Sequence, residues 1–74
     1  SVITLVPKIV RVTEEAANIR EKANINSDIA DVVKRDETLY TTGKAVVAKK
    51  RTWYEVYLNG EDGYWISSNV VEEK

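Results

Sequence analysis

The chain has 74 residues, no Cys and no His, so one domain must hold itself together without disulfides, and a structural zinc site is argued against. The same two absences remove the histidine-based acid/base pair and the thiol nucleophile, which points away from catalysis. Eleven basic and twelve acidic residues are interspersed for a net charge of -1, a balance that gives no reason to expect nucleic acid as a partner.

Ser1 to Val6 is β-branched and reads either as an extra N-terminal strand or as the end of a linker, with Pro7 marking a sheet edge. Residues 1–7 are therefore set apart from a domain over 8–74. Ser1 to Val12 is apolar-rich but contains Pro7, Lys8 and Arg11 and lacks the charged-then-apolar order of a signal peptide, so any export signal is expected outside this chain. No stretch approaches the roughly 18 apolar residues of a membrane span. Lys8 to Thr13 is the first strand of the domain, with Val10 and Val12 on one face and Ile9 and Arg11 on the other. Glu14-Glu15 breaks it, and Ala17 to Arg20 follows with Ile19 as its apolar anchor.

Glu21 to Asp31 reads as a long loop containing a single helical turn. Ile25 and Ile29 are four apart, a spacing that lets both point inward, and Asn26-Ser27-Asp28 supplies capping residues. Val32-Val33 returns to the core, and Lys34 to Glu37 is a charged turn. Thr38 to Thr42 is a strand centred on Leu39 and Tyr40, Thr42-Gly43-Lys44 turns the chain, and Ala45 to Ala48 is the next strand. Lys49-Lys50-Arg51 reads as a solvated hairpin turn.

Thr52 to Val71 carries both tryptophans and most of the aromatic residues. It reads as a strand, a tight Asn59-Gly60 turn and a second strand, since both turn residues tolerate positive φ. A period of two places Tyr54, Val56 and Leu58 on one face and Trp53, Glu55 and Tyr57 on the other. The first set is the better core face, leaving Trp53 and Tyr57 near solvent around a glutamate. Trp65 is assigned to the core, because a small barrel without Phe needs a large ring there. Trp53 is divided between ligand contact and packing under the long loop, and Arg20 is expected to order that loop through hydrogen bonds to carbonyls. Glu61-Asp62 offers too few ligands for calcium, so no metal and no cofactor is expected. The whole pattern is all-β: five to six short antiparallel strands, a long loop after the first and at most one short helical turn, most economically closed as a small barrel.

Three segments carry a resemblance. Ala17-Asn18-Ile19-Arg20 resembles an L-N-V-R signature. Ile29 to Leu39 resembles V-I-G-x-L-x-K-G-x-x-V. Trp53 to Gly60, then Gly63 and Trp65 to Val71, resembles W-Y-K-V-x-x-x-N-G-x-x-G-W-V-S-x-x-Y-L. In that order and spacing they are similar to the bacterial SH3-like (SH3b) domain family. Three positions depart from it. Glu21-Lys22-Ala23-Asn24 replaces Ser-Gly-Pro-Ser, Asp36 stands at the turn glycine, and Tyr64 is an extra residue that implies a bulge or a longer turn. Compared with the proline-peptide groove of eukaryotic relatives, Val70 stands at the groove tyrosine and Ser67 at the groove proline.

The resemblance implies an SH3-like barrel and a non-catalytic binding module of a secreted, cell-wall or envelope protein, docking an extended peptide or peptidoglycan fragment. Its ligand surface is expected to be an aromatic ledge of Trp53, Tyr57, Tyr40 and Tyr64, with Asn18, Glu21 and Asn24 of the long loop supplying polar contacts. Two alternatives stand beside it: a spacer that packs against a neighbouring domain of its own protein, and an adaptor whose N-terminal strand joins a partner's sheet. As an isolated domain it is expected to be a monomer.

Overall fold

The structure is a computed structural model that describes all residues, Ser1–Lys74. In chain order the elements are β1 (Val2–Thr4), β2 (Ile9–Val12), β3 (Ala16–Arg20), β4 (Ile29–Lys34), β5 (Thr38–Val47), β6 (Thr52–Leu58), β7 (Glu61–Ser67), a 3-10 turn (Ser68–Val70) and β8 (Val71–Glu73). They form one antiparallel sheet of eight strands in the order β4-β3-β7-β6-β5-β2-β8, with β1 added along β5. The all-β expectation is met, with no α-helix, and no helix is long and apolar enough to cross a membrane.

The alternation in the sequence builds the core directly. Val10 and Val12 of β2, Ile19 of β3, Val56 of β6 and Ile66 of β7 are fully enclosed, joined by Ala17, Val33, Leu39 and Val71. Each comes from every second position of its strand, and Tyr54, Leu58, Tyr64 and Val70 pack around the cluster. Burying each such aliphatic side chain contributes about 1.5–3 kcal/mol, the main stabilising force in a domain this small. On the surface, Arg11 donates to Asp36 at 2.6 Å and to Glu72. The hydrogen bond to Glu72 first, and that to Asp36 second, raise the guanidinium pKa above its ordinary value, so Arg11 stays charged.

Three sequence expectations are corrected. The strand count is eight rather than five or six; of the two readings of the N-terminal segment, strand or linker, the structure has the strand, with β1 pairing Val2 with Val46 and Thr4 with Lys44. Gly43 does not turn the chain, because β5 runs unbroken through it as a bulge, shifting register between Thr41 and Ala45. Its φ of 101° permits the bulge, and a Cβ there would lie 2.7 Å from the Leu5 carbonyl oxygen.

The loop after β3 contains no helical turn. Side chains fold the loop instead: Asn24 Oδ1 accepts from the Asn26 amide at 2.7 Å, and the hydroxyl of Ser27, one of the expected capping residues, sits between the Lys22 and Asn24 carbonyls. Such local side-chain bonds compete with helix. Ile25 and Ile29 consequently do not point inward and are 54% and 49% exposed. Two expectations hold here. Arg20 Nη1 donates to the Ser27 carbonyl at 2.8 Å and so ties the loop down. The extra Tyr64 is absorbed by a register shift between Val56 and Leu58, beside an Asn59-Gly60 turn with both residues at positive φ.

Candidate cleft beside Trp53

The face of β6 opposite the core carries Trp53, Glu55 and Tyr57, as the period of two requires. Register then decides their neighbours. Trp53 lies between Val46 of β5 and Ser67 of β7, and Glu55 lies opposite Trp65, which pairs in turn with Arg20 of β3. Residues in register on adjacent strands share a face, so both tryptophans stand on this outer side. Trp65 is therefore not a core residue and is only partly buried. Its neighbour Ile66 takes the inward position, and two successive strand residues cannot both point in.

Trp53 faces outward but is only 4% exposed. The chain rises on two sides of it: Ala23, Asn24 and Ile25 of the long loop, and Ala48 to Arg51 of the β5–β6 turn. Together with Trp53 these residues line an open cleft of about 540 Å³. The Arg51 guanidinium lies over the indole, 5.8 Å from its centroid, close enough for a cation–π contact. Four apolar residues, Ala23, Ile25, Ala48 and Trp53, thus sit among three cations and one amide.

Glu55, next along the face, is buried yet hydrogen-bonded: the Thr42 hydroxyl donates to its Oε1 at 2.6 Å. No buried side-chain oxygen in the protein is left unpaired. Tyr40 and Tyr57 each lie one residue beyond the Thr41–Val56 pair, on β5 and β6, and both are exposed.

The seven residues singled out from the sequence separate into groups. Trp53 and Asn24 line the cleft just described. Glu21 and Tyr64 line a second depression of about 530 Å³, with Ile29, Ala30, Leu58, Asn59, Asp62 and Gly63. Tyr40 and Tyr57 line neither, and Asn18 lies exposed on β3 opposite Val32. The four rings thus do not form one continuous ledge. The sequence pattern placed Ile25 inward and made Lys49 to Arg51 a solvated turn, although that run directly precedes Thr52-Trp53 and both line the cleft. No group of three His, Cys, Asp or Glu side chains comes together in a way that could hold a metal ion.

Compared with known proteins, the chain matches no family model, no curated protein and no solved structure.

Proposed function

We propose that this domain is a non-catalytic binding module that docks an extended peptide or peptidoglycan fragment in the cleft between the long loop and the β5–β6 turn. The observation that carries this reading is Trp53, an outward-facing indole at the bottom of a cleft walled by two loops. A cleft whose floor is already held in place by packing loses little entropy when a ligand fills it, and shallow slots suit chains that are already extended. We further read the sheet as an SH3-like barrel of the bacterial kind and the parent protein as wall- or envelope-associated. Support for this comes from the three sequence segments, the loop after β3, the Asn59-Gly60 turn and the bulge that takes up Tyr64. Affinity at one open cleft is modest, so repeated copies or the parent protein supply avidity.

Ile25→Asp tests the site, because Ile25 is exposed and its replacement leaves the core intact. Purified cell-wall sacculi retain the native domain and release the variant, with binding weakened about tenfold or more and thermal unfolding unchanged. Equal retention of both proteins removes the cleft from the account.

One observation favours docking on a neighbouring domain as a second reading. Val2, Ile3, Leu5 and Val6 are all exposed, and β1 pairs only with β5, leaving one edge open to another strand. Under that reading sacculi retain neither protein, and removal of Ser1 to Val6 abolishes a protein contact.

A further inference from the structure

We infer that the ligand of the Trp53 cleft is an acidic peptide, whose carboxylates meet Lys49, Lys50 and Arg51 while its backbone or apolar side chains pack on Ala23, Ile25 and Ala48 above the buried indole. The inference rests on the docking reading above and adds the charge of the occupant.

All three cations line the cleft, consecutive in sequence and directly preceding the strand that carries Trp53. None has an acidic partner: the three ion pairs of the protein use Lys8 with Glu73, and Arg11 with Asp36 and Glu72. No acidic side chain lines the cleft, although acids outnumber bases in the chain by twelve to eleven. Three unpaired positive charges around a partly apolar hollow, in a protein with a net charge of -1, form a local field opposite in sign to the whole. Such a field favours anionic partners, speeds their encounter and rejects cationic ones. The second depression has the reverse lining, with Glu21 and Asp62 and no cation. The protein thus separates its charges between two hollows rather than mixing them.

Of the chain's twelve acids, Asp36, Glu72 and Glu73 pair with Arg11 and Lys8, and none pairs with a cation of the cleft. A nucleic acid is a poorer match than a peptide. Single strands are held by a basic groove that tracks the backbone and by several stacking rings, whereas one buried indole lines this cleft.

The test titrates the full 74-residue chain with three fluorescent peptides of equal length and blocked ends: one rich in Glu and Pro, one in Ser and Pro, one in Lys and Pro. A single-stranded oligonucleotide is the fourth probe. The expected result is that the Glu peptide binds at least about tenfold tighter than the other two peptides and the oligonucleotide, and that its affinity falls as salt is raised. Lys50→Glu, an exposed change that leaves Arg51 on the indole, lowers that affinity severalfold, and Lys49→Glu with Lys50→Glu lowers it further. Equal affinity for the Ser and Glu peptides, unaffected by the charge reversals but lost in Ile25→Asp, overturns the acidic preference and leaves the docking cleft standing. Binding of no peptide overturns the acidic peptide as occupant, and the docking cleft falls with it only if sacculi also fail to retain the domain. Preference for the oligonucleotide overturns the acidic peptide as occupant.

Discussion

Replacing Ile66 with alanine leaves the domain largely unfolded at room temperature. Ile66 is fully enclosed in β7, registered against Tyr54 of β6 and packed with Val10, Val12, Ile19 and Val56. Removing its outer carbons forfeits their transfer free energy and leaves a cavity, together about 2–5 kcal/mol at such positions. A domain of this size with no disulfide and no metal holds only about 3–5 kcal/mol in total. The loss is therefore comparable with the whole. Far-UV circular dichroism of the variant loses its strand signal without denaturant. A folded variant whose urea midpoint equals that of the native chain would contradict the core described here.

Gly43→Ala comes next in size. The position has a φ of 101°, and an added methyl meets the Leu5 carbonyl oxygen at 2.7 Å and the Pro7 ring at 3.3 Å. That carbonyl cannot simply move aside, because the Leu5 amide donates to the Gly43 carbonyl at 2.6 Å and holds the N-terminal segment against the bulge. Left-handed backbone strain alone costs about 1–2 kcal/mol in a non-glycine residue. With the clash included, the expected loss is about 2–3 kcal/mol. At a urea slope near 1 kcal/mol per molar, the midpoint drops by about 2–3 M. A midpoint within about 0.3 M of the native value would show that β1 and its linker do not bear on the bulge.

Local alternation made most of the fold legible. Val10 and Val12 on β2, Ile19 on β3, and Val56 and Ile66 across the last hairpin all fall inward as a period of two requires. The same rule, applied consistently to Trp65 and Ile66, places only one of them inside, and the smaller one wins because it fits among Val10, Val12 and Ile19. What alternation could not reveal was non-local. Gly43 looks like a turn until β1 and Pro7 are seen lying against it, since a bulge and a turn ask the same φ of a glycine. The loop after β3 looks helical at Ile25 and Ile29 because propensity ignores the hydrogen bonds Asn24 and Ser27 make within it.

The cleft was half legible. That Trp53 faces away from the core follows from strand period. Its burial there depends on two loops, Ala23 to Ile25 and Ala48 to Arg51, that lie far apart in sequence and meet only in the fold. The grouping of Tyr40 with Tyr57, apart from Tyr64, likewise depends on the register of β5 with β6, which the Gly43 bulge resets.

The most direct test follows each backbone amide and both indole N–H signals by NMR while the Glu-rich peptide is added. The account predicts shifts concentrated in Ala23 to Ile25, Ala48 to Arg51 and the Trp53 indole, with Tyr40, Tyr57 and the Glu21–Tyr64 depression left still. Shifts centred on Tyr40 and Tyr57, or on the open edge of β1, with the Trp53 indole unmoved would contradict it.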